Sequence, residues 1–221
     1  MQQEVIIDTQ KVIITRKKMK NIRLTVKSES LVCVSAPKFV LLSQIEKFVR
    51  SKLDWITLQQ QKFRDAQQSF VSGANISVLG KTFTLKVCMG ARNQVKFQDD
   101  LVLVFIKNVE VNPKTVFLAW AKKYLKQILP HYFQKWEQIT SLKVNGFSVR
   151  DMKTRWGSCN HKNATISINV QIIFKDEDCL NYLILHEMAH IVEPSHNQNF
   201  KNFLSKYMKN WKIIRKKLKN N

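Results

Sequence analysis

Leu185-His186-Glu187-Met188-Ala189-His190 gives the first foothold in the chain. Four residues of α-helix turn through ~400° and rise ~6 Å, so His186 and His190 stand on nearly the same face. Two imidazoles so placed reach one metal ion at ~2.0–2.1 Å each. Glu187 follows the first histidine and leans toward the ion from the side, where a carboxylate takes a proton from water instead of binding metal. The spacing predicts a helix that holds zinc for hydrolytic chemistry.

A third ligand is needed. No Asp or Glu follows Glu193, so a distant downstream acid is excluded and the choice is Glu193 itself or His196. His196 is the better candidate, because Pro194 favours ending the helix near Glu193 and lets the chain turn back. The interval from His186 to His196 matches H-E-x-x-H-x-x-G-x-x-H, but Glu193 stands at the glycine position. No Met-turn follows, since Met208 lies within an amphipathic run. Ordinary helix histidines are the competing reading; the third histidine and the apolar setting argue against it.

The chain has 221 residues, 44% of them hydrophobic, enough to bury a core. Charge interrupts the N-terminal residues almost at once, and the apolar run Leu101 to Ile106 is far too short to span a bilayer. A soluble, cytoplasmic protein without a transmembrane segment is expected. Cys33, Cys88, Cys159 and Cys179 are scattered with no C-x-x-C pair, which argues against a disulfide framework or a zinc ribbon. The formal charge of +21 suggests a polyanionic partner such as DNA. A solvated lysine-rich surface is the plainer account, because no recognised nucleic-acid motif accompanies the charge.

Short strands of a meander are expected at Val5–Ile7, Lys11–Thr15, Ile22–Val26 and Leu31–Ser35. The basic cluster between the second and third, Arg16 to Asn21, reads as a guard against edge pairing rather than a phosphate contact. Ser43-Gln44-Ile45-Glu46 fits a capping box opening one long helix, with Ile45, Phe48, Val49, Leu53 and Ile56 on its stripe. Gln59, Gln60, Gln61, Lys62 and Arg64 mark its solvated later turns. Four more strands follow at Ile76–Leu79, Thr82–Val87, Gln94–Phe97 and Leu101–Ile106.

Asn112-Pro113 is an N-cap with proline at the first helical position, and Pro130 should kink or end that helix. Phe147 to Cys159 and Ala164 to Val170 read as a hairpin leading into the metal helix, one that could pair with an extended peptide. Asp176-Glu177-Asp178 complements the dipole at the start of that helix. After His196, Phe200 to Leu218 carries apolar residues at helical spacing with a basic outside, a single packing helix.

Arg155-Trp156-Gly157-Ser158-Cys159, Ile166-Ser167-Ile168-Asn169, the His186–His190 motif and Ser195-His196 ahead of Phe200 together resemble the YgjP-like metallopeptidases, distant relatives of the SprT-like and Wss-like proteases. Weaker likeness extends over Val32 to Pro37 and Ile45 to Ile56. The resemblance implies a minimal zincin-like metalloprotease domain; with the elements above, an α+β chain is expected, with that domain over 111–221 and a β-rich region with one long helix over 1–110. It also implies one Zn²⁺ per chain on His186, His190 and His196, and peptide-bond hydrolysis with Glu187 as general base. SprT-like relatives act on proteins attached to DNA, and by analogy nucleic-acid-associated proteins are the expected substrates.

Arg155, Tyr182 and Asn169 are the candidate transition-state or substrate contacts. The rival reading is a basic nucleic-acid-binding module in which zinc is only structural. A closed structural site has a fourth protein ligand, and Cys159 and His161 are the residues in reach by sequence.

Overall fold

The computed structural model describes residues 2–28, 30–68 and 70–219, with the backbone alone for Gln2 and 62–68. The chain falls into two compact units, Met1–Phe70 and Val71–Asn221. This boundary lies well ahead of the expected division at 110/111, because the second set of strands packs on the helix that follows it.

The first unit holds β1 (Gln2–Ile7), β2 (Gln10–Lys17), β3 (Arg23–Val26), β4 (Val32–Pro37), α1 (Leu42–Arg50) and α2 (Leu53–Gln68). Its sheet order is β1-β2-β4-β3, with β4 parallel to β2, so it is not the expected meander. Apolar content decides the order. Val12, Ile14, Val32, Val34 and Ala36 on β2 and β4 are sealed, whereas β3 exposes Arg23 and Thr25 and takes the edge. Arg16 donates to the carbonyls of Pro37 and Val40, so this member of the basic cluster locks the unit's own backbone.

The helix begins earlier than the capping box at Ser43 predicted: Leu41 is the N-cap, and its N–H donates to Gln44 Oε1 at 3.2 Å. The single long helix is broken into two at Ser51, whose hydroxyl donates to the Phe48 carbonyl. Gln60 is buried rather than solvated and donates to Gln10 Oε1. The expectations for the Lys62 and Arg64 side chains lie outside the described residues.

The second unit opens with β5 (Asn75–Val78), β6 (Lys81–Met89), β7 (Gln94–Gln98) and β8 (Leu101–Ile106), in the order β5-β6-β8-β7 with β6 parallel to β8. Leu79 and Gly80, both with positive φ, make the tight turn between β5 and β6. Helix α3 (Pro113–Thr140) starts on the Asn112 cap as expected and continues through Pro130, so the proline does not end it. Phe117, Ala121, Leu125, Leu129, Phe133 and Trp136 form a continuous buried stripe, while Pro130 faces solvent. Packing on both sides of the proline outweighs its one missing hydrogen bond.

A third sheet, β9 (Gly146–Arg150), β10 (Gly157–Asn160) and β11 (Thr165–Asn169), has the order β10-β11-β9. The hairpin is β10–β11 alone; β9 lies parallel to β11 rather than forming one of the hairpin's arms. Each sheet therefore uses one device, a hairpin whose second strand inserts parallel beside an earlier strand. A 3₁₀ turn, Val170–Phe174, leads to α4 (Glu177–Val192), which packs against β10. The predicted single C-terminal helix is two, α5 (Gln198–Tyr207) and α6 (Trp211–Lys219). Met208 leaves the helical region, and the turn is tied by Trp211 Nε1 donating to Ser205 Oγ at 2.9 Å. The bend returns α6 to α4.

Candidate metal centre

Helix α4 is apolar on nearly every side, and Leu183, Ile184, Leu185, Met188 and Ala189 anchor it in the core. His186 and His190 project from its one open face. The chain after Glu193 brings His196 to them, so that ligand atoms of the three imidazoles lie within 4.8 Å of one another. His186 Nε2 and His196 Nε2 are 3.1 Å apart, close to the ~3.4 Å between two nitrogens bound at ~2.0–2.1 Å on a tetrahedral centre.

The opposite ring nitrogens are engaged elsewhere. His190 Nδ1 lies 3.1 Å from the Glu193 carbonyl, which can only accept, so this ring carries a proton on Nδ1 and Nε2 is the nitrogen left for a metal. His186 Nδ1 meets Tyr182 Oη at 3.2 Å, and the tautomer that donates there also frees Nε2. Phe200, itself buried, supports all three rings with centroid distances of 4.9, 4.7 and 4.7 Å to His186, His190 and His196. Burial, followed by the fields of His190, His196 and Arg215, pushes His186 down to about 3; burial and two of the same fields lower His196. Both rings are thereby kept in the neutral form that binds metal.

The turn needs no glycine at position 193. Glu193 has φ −139°, an extended conformation open to any residue. Its carboxylate accepts from Ser195 N–H and Ser195 Oγ, and Asn197 caps α5 through the Phe200 N–H. These polar contacts hold the segment that presents His196.

Glu187 is only 5% exposed, and no described residue hydrogen-bonds its carboxyl. Burial pushes it up to about 8, with the Arg155 guanidinium pulling partly the other way. It rests on β10: a Cβ built on Gly157 would stand 2.5 Å from Glu187 Oε1 and 2.8 Å from its Cγ and Cδ. No other residue type leaves that space.

The loop that delivers Gly157 is held by Asn169. Its amide donates to the carbonyls of Met152 and Arg155, both at 2.7 Å, and its carbonyl accepts from the N–H groups of Met152 and Gln171. All four hydrogen-bonding positions are spent. Asn169, expected as a substrate contact, is instead the clamp of this loop.

Tyr182, expected beside the reacting carbonyl, is buried with its hydroxyl on His186 and positions that ring. Arg155 is exposed, near enough to Glu187 to act on its charge. Trp156 carries Lys175 Nζ over its ring at 5.6 Å. Among the described residues, neither Cys159 nor His161 joins the histidine group, so the residues that could hold a metal here are the three histidines. Burial and the Glu187 charge hold the Cys159 thiol up at about 11.

A cleft of about 200 Å³ opens over these groups. Trp156, Gly157 and Tyr182 form part of its wall, His186, Glu187 and His196 its reactive side. Arg215 and Lys219 enter it from α6. Sequence reading passed over Gly157, Phe200 and Arg215 as site residues; only the Arg155–Cys159 motif and the aromatic after His196 signalled any of them.

No helix among the described residues is long and apolar enough to cross a membrane. No curated protein matches the chain. Among the solved structures similar to part of it are two metallopeptidase zymogens. The metallopeptidase zymogen abylysin of Pyrococcus abyssi is 18% identical with a TM-score of 0.37, over 39% of this chain and 88% of that one. The metallopeptidase zymogen jannalysin of Methanocaldococcus jannaschii is 26% identical with a TM-score of 0.34, over 42% of this chain and 92% of that one. The family model for the YgjP-like metallopeptidase domain matches residues 20–221, nearly the whole length, and the chain, an α+β protein of zincin-like type, belongs to that family.

Proposed function

We propose that this metallopeptidase is a zinc-dependent endopeptidase of the HExxH type, with one Zn²⁺ on His186, His190 and His196 and with Glu187 as general base. The observation that carries the proposal is the convergence of three imidazoles, their ligand atoms within 4.8 Å of one another, beside a buried carboxyl that has no hydrogen-bond partner among the described residues. When bound, zinc polarises the scissile carbonyl and acidifies the attacking water toward ~7.

Glu187 accepts the proton that this water loses as its oxygen bonds to the carbonyl carbon, and returns it to the amine nitrogen as the C–N bond breaks. Tyr182 and the Glu193 carbonyl orient the ligand rings. Arg155, exposed beside Glu187, is the candidate for countering charge that develops on the carbonyl oxygen. Strand β10 is a sheet edge packed on α4, which supports entry of an extended peptide by backbone pairing. Nothing in the fold or the comparisons supports the DNA contact expected from the charge, so the proposed substrate is protein as such.

The test is metal removal and return. Purified protein should contain about one zinc per chain by elemental mass spectrometry, lose peptide hydrolysis on dialysis against 1,10-phenanthroline, and regain it with stoichiometric Zn²⁺. Hydrolysis that survives complete zinc removal would overturn the proposal.

Gly157 gives a second test. Gly157→Ala drives a methyl group into the Glu187 carboxyl, which must shift by the better part of an ångström. Displacement on that scale costs about 10²-fold in rate. Loss of kcat with zinc content unchanged is expected; full activity in the alanine variant would show that Glu187 does not act from this position.

A further inference from the structure

The bend at Met208 puts a cation into the cleft that the sequence reading left on a solvated helix. Arg215 is half-buried and lines the same cavity as His186, Glu187 and His196. Its guanidinium carbon lies 6.0 Å from the ring centroid of Trp211, which is buried and tied to Ser205. The side chain is thus supported from one side by a fixed aromatic surface.

No acidic residue occurs after Glu193, so neither α5 nor α6 can supply a counter-charge. Among the described residues Arg215 has no carboxylate partner. Lys217, also on α6, is paired with Asp176, outside the cleft. Lys219 adds a second positive charge to the cavity wall.

A planar guanidinium held against an aromatic ring, its donors free, matches the geometry of a carboxylate. The cavity, about 200 Å³, falls below the ~300–1,000 Å³ of sites for drug-sized ligands and suits one residue of a peptide.

We propose that Arg215, with Lys219 at the rim, is a carboxylate subsite that makes the enzyme prefer peptides carrying a carboxylate close to the scissile bond. The proposal rests on the peptidase reading above. The carboxylate has two sources, an Asp or Glu side chain or the α-carboxylate of a chain end, and both present the same group to the guanidinium.

Two measurements test it on the full-length, zinc-loaded protein. In the first, ¹⁵N-labelled Glu187→Gln protein is titrated with three probes: acetyl-glutamate methylamide, acetyl-glutamine as the free acid, and acetyl-glutamine methylamide. The Nε–H resonance of Arg215, assigned by its loss in Arg215→Lys, should move with the first probe if side-chain carboxylates bind and with the second if chain ends do. It should stay still with the third. A resonance unmoved by either acid overturns the subsite, whatever the hydrolysis result. This arm keeps Arg215 in place and so does not depend on a substituted protein folding.

In the second, cleavage-site profiling of a peptide library compares wild type with Arg215→Gln. An acidic residue or a free C-terminus should be enriched within two residues of the cut, and the substitution should raise KM for those peptides about tenfold or more while kcat holds. A flat wild-type profile overturns the subsite and leaves the peptidase reading intact, as does a loss confined to kcat, which would assign Arg215 to the reacting carbonyl. Zinc-loaded wild type that cleaves nothing while the resonance shifts would instead overturn the peptidase reading and leave an anion site standing.

Discussion

Glu187→Gln is expected to retain zinc and fold and to lose peptide hydrolysis by about 10³-fold, within the range supplied by a positioned general base. The substitution is close to isosteric, so the amide fits the space over Gly157 that the carboxyl occupies. It also removes no ion pair or hydrogen bond, since no described residue bonds the carboxyl. Without the metal, burial favours the neutral form of Glu187, up to about 8, and a neutral amide suits the same surroundings; the charge of a bound zinc would draw the group back to the carboxylate that accepts a proton. The melting temperature should therefore stay level or rise, and elemental analysis should find the zinc of the wild type. What the amide cannot do is accept a proton from the attacking water. The measurement is kcat/KM on a peptide cleaved by wild type, beside zinc content and melting temperature of both proteins. A variant that hydrolyses at near the wild-type rate would remove Glu187 from the mechanism. One that loses zinc together with activity would make it a metal-site residue instead.

The parts of this site that the sequence revealed are those fixed by short-range geometry. His186, Glu187 and His190 needed only the helical repeat, and Asn112-Pro113 only the chemistry of a helix start. His196 needed one further step, because Pro194 limits the helix and the absence of later acids narrows the choice of ligand. Strand positions in both four-stranded sheets were readable from alternation, but strand order was not: β4 lies beside β2 because these two strands carry the residues that the sheet seals in one cluster with Ile45, Val49 and Ile56. Pro130 does not end its helix because local propensity is outweighed by a stripe packed on either side of it. The parts played by Gly157, Asn169 and Arg215 lie beyond the reach of any local pattern. Each acquires its place from a residue or an element distant in sequence: Gly157 from Glu187, Asn169 from the loop at 152–155, Arg215 from the turn at Met208.

His196→Ala should weaken zinc binding by more than about 10²-fold, beyond the 10- to 100-fold typical of losing a residue that merely orients a ligand. The argument turns on where this histidine sits. His186 and His190 are built into a helix buried on most sides, so removing either would also disturb the packing of α4. His196 is exposed, on a turn held by Glu193, Ser195 and Asn197, and none of those contacts involves its ring. Its truncation should leave the melting temperature of metal-free protein unchanged, which separates loss of a ligand from loss of the fold. Competition with a chromophoric zinc chelator gives the affinity, and the same titration on Cys159→Ala and His161→Ala serves as the control. In a three-histidine centre those two variants bind zinc as wild type does, because neither residue joins the group. A large loss in either, matched by tight binding in His196→Ala, would mean that the ion is held by a different and more enclosed set of ligands. The basic, zinc-stapled binding module would then be the better account of this chain.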